Sequence, residues 1–384
     1  MVLALAILFL PTFQATDHHV SDPASFRQAI ARAKPGHRIL LAPGEYPGGF
    51  HFSNLHGTKD KPIVIGASKP GQPPRIVGGG NAIQLSKVSH IEIRDLVLSG
   101  QSNNGLNVDD GGDYSSPSHH VKLTNLKISD IPKGNHDGIK LSGLDNFEVK
   151  NCVIERWGGS GIDMVGCHQG VIEACTFRNG GDSGIQAKGG SSEVRIVASR
   201  FENAGQRSVN IGGSTGPEYF RPPLAKMPTD KRYEAMAITV EGCTFIGSMS
   251  PIAFVGVDGA RVRFNTIYNP ERWAIRILQE TRQPGFLPCR NGLIEKNLIV
   301  FRSDRWSSGG VNVGEGTEPK TFQFRGNFWF CSDQPNRSKP QTPTEDKDSI
   351  LGADPLFLDP SKSDFRVKPE SQARNVGAHA FRKR

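Results

Sequence analysis

The chain has 384 residues with 44 glycines, 26 prolines, 22% charged residues and a formal charge of +8. This length suits one large domain or two ordinary ones. The Gly and Pro content disfavours a helix bundle, and the moderate hydrophobic content argues against wholesale disorder. The positive charge favours an anionic partner. Because the basic residues are dispersed, an anionic polysaccharide is expected rather than nucleic acid.

The first segment, MVLALAILFLPTFQATD, is apolar from Val2 to Leu10. That run is too short to span a bilayer and has the character of a signal-peptide core. Residues 1–16 are therefore expected to be a leader, with the protein secreted or periplasmic and without a membrane span. In SDPASFRQAIARAKPG, Asp22 is placed as an N-cap and Pro23 in the first turn. Phe26, Ala29, Ile30 and Ala33 then share one face, which predicts a helix. Within residues 17–50 it is expected to cover the open edge of the element that follows.

From about residue 51 the chain repeats. Gly138, Gly161 and Gly184 open the runs GIKL, GIDM and GIQA at intervals of 23 residues. A longer alternating element recurs between them, as in IEIRDLVLSG, FEVKNCVIER and VRIVASRFEN. These segments are β-branched, bounded by Gly or Asn, and lack helical periodicity. A repeat of this length signals a solenoid. The predicted fold is all-β: a single right-handed parallel β-helix over residues 51–350, each turn laying one short and one long strand. The tail, 351–384, is expected to cover the far end.

Strand alternation sets the register. Ile139, Ile162, Ile185 and Val209 point inward, so Lys140, Asp163, Gln186 and Asn210 form an outward column. Asn107 extends it on one side, and Arg276 and Asn312 on the other. A second column holds Asp109, Ser142, Val165, Lys188 and Gly212. One coil and two residues separate Asp163 from Lys188, roughly 8 Å between Cα atoms. Two long segments interrupt the repeat, QSNNGLNVDDGGDYSSPSHH and GGSTGPEYFRPPLAKMPTDKRYEA. The second carries Tyr219, Phe220 and Arg221, an aromatic and cationic set suited to acidic sugars, so both are expected to wall the site. Cys152, Cys175 and Cys243 occupy matching repeat positions and are expected to be buried and unpaired.

Four stretches carry a resemblance: AIARAKPGHRILLAPGEYPG, GTKDKPIVIGA, RIVGGGNAIQLSKVSHIEIRDLVLSG and QAKGGSSEVRIVASRFENAG. They resemble the chondroitinase B and alginate lyase family of polysaccharide lyases over about half the chain. The resemblance implies β-elimination on a uronate polymer. Lys188 matches the position of the general base. Arg207 lies near that of the assisting arginine, and Lys140 belongs to the same cationic neighbourhood. The resemblance also implies calcium held by acidic residues, for which Asp137, Asp163 and Asp182 are the candidates. Such a cation would neutralise the substrate carboxylate and make the adjacent proton acidic. His136 is a second candidate base, since it titrates near neutrality. Two rivals stand beside elimination: a hydrolase working through Asp137, Asp163 or Asp182, and a carbohydrate-binding β-helix without catalysis. A monomer is expected.

Overall fold

The computed structural model describes residues 15–381. Most of the expected leader lies outside the described residues. The described chain winds through about 12 turns of a parallel solenoid. Among the described residues the coils build three long sheets of ten, twelve and fourteen strands. The ten-stranded sheet carries the short Gly-Ile strands. Its consecutive members include Leu106–Asp109, Ile139–Ser142, Ser160–Val165, Ser183–Lys188 and Arg207–Gly212.

The expected single long strand is two. In FEVKNCVIER, Glu148–Lys150 joins the fourteen-stranded sheet and Val153–Glu155 joins the twelve-stranded one. Between them Asn151 adopts φ 54°. Ala174, Ala198 and Phe264 make the same left-handed corner in other coils, at φ 53°, 48° and 52°. An L-residue there costs about 1–2 kcal/mol. The corner nevertheless recurs, because it turns the chain sharply enough to stack both flanking strands.

The repeat glycines are steric. Ile139 pairs with Ile162 and Ile162 with Ile185, all three fully buried. A Cβ on Gly138 or Gly161 would sit 2.6 Å from the carbonyl oxygen of Gly161 or Gly184, respectively. Only glycine permits coils to approach that closely at this edge. On the twelve-stranded sheet Phe177, Phe201 and Phe245 stack face to face, with centroids 4.9 and 4.7 Å apart.

Cys152, Cys175 and Cys243 are buried as expected and none forms a disulfide, but they occupy the corner just before the strands of the twelve-stranded sheet. Further along, the same position is filled by Asn265, Asn297 and Asn327. Each of the first two donates both backbone and side-chain N–H groups to the next asparagine's Oδ1, at 2.9–3.0 Å. The side-chain amides also reach the carbonyls of Val240 and Val262. The corner thus changes from apolar packing to a buried amide ladder.

The N-terminal helix is Pro23–Ala31, capped by Asp22 in a reciprocal box with Ser25. Its Phe26 packs on Phe50 and Phe52. The helix lies between Thr16–Val20 and His37–Leu41, which already belong to the fourteen-stranded sheet. The tail does not follow the expectation of an end cover. Ala373 and Val376 pack on Leu298, Val300, Phe328 and Phe330, outside the twelve-stranded sheet. The backbone N–H groups of Gly377 and Ala378 then bond Lys296 and Thr266, so the tail runs back along the solenoid. Outward apolar side chains in the late coils require that cover.

Candidate active site

The outward column follows the predicted register. Asn107 pairs with Lys140, Lys140 with Asp163, Asp163 with Gln186, and Gln186 with Asn210. Beyond Ala253 it continues through Arg276 to Asn312. The second column aligns Asp109, Ser142, Val165 and Lys188.

Over this sheet lies a cleft of about 1150 Å³. Gln186, Lys188, Arg207 and Asn210 line its floor. Its wall is made by the turns that enter the sheet, including Lys133, Arg156, Asp182 and Gln206. Glu280, just past the Ile275–Leu278 strand, closes one end. Glu280, Arg156 and Lys133 were not anticipated. For Lys133 and Arg156 the signal was present, because the turns PKGNHDGI, RWGGSGI and NGGDSGI recur before the Gly-Ile strands with varied polar residues; Glu280 lies outside that pattern.

The charges beneath the floor are interleaved. Asp163, with its side chain 2% exposed, sits between two ammonium groups. Lys140 donates to its Oδ2, and Lys188 Nζ stands 3.5 Å from its Oδ1. Lys188 also donates to Gln186 Oε1 at 3.2 Å. Asp137 lies 3.8 Å from Lys140 and accepts the Ser160 N–H at 2.7 Å. Burial, reinforced by the Asp163 charge, pushes the Asp137 carboxyl up to about 6. Burial pulls Lys140 down, but Asp163 and Asp137 outweigh it and hold the ammonium above its ordinary range. The neighbourhood of Lys188 is therefore mixed in charge, with Asp163 as its carboxylate partner.

Arg207 spans two partners, Asn210 Oδ1 at 3.2 Å and Glu280 Oε1 at 2.6 Å. Arg276 stacks on Trp273 at 4.5 Å, and burial followed by the charge of Arg207 lowers it. Lys140, expected in the cleft with Lys188, does not line it and is held by the two carboxylates.

Several expected residues are engaged elsewhere. Asn107 donates to Asp109 at 2.6 Å, and His136 contacts Asn103 at 3.3 Å. Tyr219 is 55% exposed and lies outside the cleft lining. Arg221 forms a two-pronged pair with Asp110 at 2.6 and 3.1 Å, its guanidinium lying 4.6 Å over the Tyr114 ring. The Tyr114 hydroxyl donates to Glu218 O. The two inserted loops thus clasp each other, and Arg221 serves that clasp rather than the cleft.

The calcium expectation meets a specific obstacle. An ammonium already bonds Asp163 and sits beside Asp137, while Asp182 faces solvent with its carboxylate near the Ser183 hydroxyl. A hard divalent cation takes six to eight oxygen ligands. These three carboxylates do not supply such a set, because lysine holds the space between two of them.

A family model described as "Right handed beta helix region" matches residues 80–219. No curated protein matches the chain in sequence. Among solved structures, an alginate lyase from Paenibacillus sp. is 19% identical with a TM-score of 0.50, covering 79% of this chain and 97% of that one. A PL6 family polysaccharide lyase from Pseudopedobacter saltans is 16% identical with a TM-score of 0.55, covering 94% and 99%. A GH136 lacto-N-biosidase from Eubacterium ramulus is 16% identical with a TM-score of 0.58, covering 88% and 68%. Likeness at such identity is likeness of fold, and the same fold carries enzymes of different names. On its own register and on these matches, the chain is a right-handed parallel β-helix protein.

Proposed function

We propose that this protein acts outside the cytoplasm on an anionic, uronate-containing polysaccharide, cleaving it by β-elimination in the cleft over the ten-stranded sheet. The observation that carries the proposal is the pairing of Lys188 and Arg207 on the floor of a long open groove. Arg207, with two hydrogen-bond partners fixing its plane, is suited to a substrate carboxylate. Neutralising that carboxylate acidifies the proton on the adjacent carbon. Lys188 must first lose its proton to solvent; as the free amine it takes the proton, the electron pair forms the new C=C bond, and the glycosidic C–O bond on the next carbon breaks. The ammonium so formed returns a proton to the departing oxygen. Asp163 and Lys140 act from the neighbouring coils as positioning residues, because their ion pair fixes where the Lys188 side chain rests.

The donor set favours a scheme in which lysine and arginine, rather than calcium, carry the positive charge. Hydrolysis is less well served. It needs two carboxyl groups facing one bond. Asp137 and Asp163 lie buried beneath lysine, and Glu280 is paired with Arg207. A screen of uronate polymers, with and without chelator, tests the proposal. Elimination yields an ultraviolet-absorbing unsaturated uronate, and chelator leaves the rate unchanged. New reducing ends without that absorbance establish hydrolysis instead, and retention on a polymer without cleavage establishes binding alone.

A further inference from the structure

Away from the cleft, three histidines meet at the edge where the chain leaves the ten-stranded sheet. His90 comes from one coil, and His119 and His120 come from the next. One nitrogen from each ring lies within 4.8 Å of the other two, and among the described residues no other group of three His, Cys, Asp or Glu side chains meets that condition. The His119 and His120 Nδ1 atoms are 2.8 Å apart. The rings of His90 and His120 stack at 4.4 Å, and that of His90 meets His119 edge-on at 5.4 Å.

Two details make this more than a contact of three rings. His90 and His120 both adopt left-handed backbone, at φ 52° and 54°, which turns neighbouring side chains toward one another at this corner. Asp145 pairs in register with His119 from the following coil, and its Oδ1 is buried without a hydrogen-bond partner. A carboxylate beside a histidine, with a lone pair unspent, is the usual outer support of a metal-ligating imidazole.

We propose that His90, His119 and His120 form a binding site for a divalent transition-metal ion of the zinc class, separate from the cleft and open at the fourth position. Three imidazoles select a borderline ion such as Zn²⁺ over calcium or magnesium, which prefer oxygen. The site joins two coils next to the 110–117 loop, so the ion acts as a staple there. An ion that binds the folded chain alone raises its stability by mass action.

The test uses metal-free, untagged full-length protein titrated with Zn²⁺ by calorimetry, with a Co²⁺ titration followed by visible absorbance. The expected result is one equivalent bound with micromolar affinity, a tetrahedral Co²⁺ spectrum, and a melting temperature raised by the metal. Calcium in excess should not compete. His120→Ala, which truncates an exposed ring, should weaken Zn²⁺ binding by about 10² or more, in the range seen when a metal's surroundings are disrupted. His18→Ala, at the distant N-terminal histidines, should leave it intact. Absence of Zn²⁺ binding by the wild type, or wild-type affinity in both His120→Ala and a His90→Ala/His119→Ala double variant, overturns the site and leaves three packed imidazoles.

Discussion

At the scale of single residues, the floor of the cleft depends on one buried carboxylate. Asp163 orients Lys188 from the neighbouring coil while Arg207 is held by Asn210 and Glu280. Lys188→Ala should reduce turnover on the cleaved polymer by about 10² or more, as removal of a positioned base does. Lys188→Arg should not restore it, because a guanidinium stays protonated and cannot accept the proton. Retained turnover in either variant counts against the assignment of the base. Asp137 supports a second prediction. Its carboxyl is raised from 3.8 to about 6 by burial and by the charge of Asp163. Between about pH 4 and 6 the folded protein holds a proton that the unfolded chain has released, so stability falls as pH rises through that window. A shift of about two units corresponds to about 3 kcal/mol. Asp137→Asn keeps an acceptor for the Ser160 N–H and holds no such proton. Denaturant titrations from pH 4 to 6 should therefore show a flatter dependence in the variant; an unchanged slope would remove Asp137 as its source.

At the scale of elements, the coils are joined by repeated contacts in register, so a change at one rung is felt where two coils meet. Gly161 has no room for a side chain: an added Cβ would stand 2.6 Å from Gly184 O and 2.8 Å from the Phe177 ring. Gly161→Ala should destabilise by about 1–3 kcal/mol, the range for overpacking, measured by urea unfolding. No loss would mean that the coils separate more easily than the stacked glycines imply. The asparagine ladder gives an independent case. Asn297→Ala leaves the Asn265 backbone N–H and side-chain amide without their acceptor, and the Val262 carbonyl without its donor. Unsatisfied buried groups cost about 1–3 kcal/mol each, so at least that loss is expected in the same assay. A variant as stable as the wild type would show that water or a shifted neighbour replaces the rung.

At the scale of the whole molecule, a rigid solenoid presents loops that belong to distant parts of the sequence. Asp110 and Arg221 are 111 residues apart and pair across the sheet edge, their side chains 1% and 12% exposed. Arg221→Ala leaves the Asp110 carboxylate buried without its cation, a penalty of about 3–5 kcal/mol if the loops cannot move. The loops are able to move where the coils are not, so the loss should appear as local opening. Hydrogen exchange should quicken in residues 110–117 and 213–234 and stay slow in the coils. Exchange that quickens throughout would show that the clasp holds the solenoid together. Arg221→Lys should not rescue, since an ammonium cannot reproduce the two-pronged contact.

What the sequence determined by itself is whatever repeats. The 23-residue glycine interval, the inward isoleucines and the outward column through Lys140, Asp163, Gln186 and Asn210 are imposed by strand alternation and stacking. The sequence alone therefore sufficed for these. The capping helix was equally legible, because its N-cap, proline and apolar face are local signals. The corner that splits each long element was not, since Ala174 and Phe264 have no intrinsic preference for left-handed backbone and adopt it only because neighbouring coils demand it. Nor were the partners of charged side chains. Whether Arg221 faces sugar or Asp110, and whether Asp163 faces an ion or two lysines, depends on loops and coils brought together by folding. A residue's own chemistry names the interactions open to it, and only the tertiary structure decides which of them the space allows.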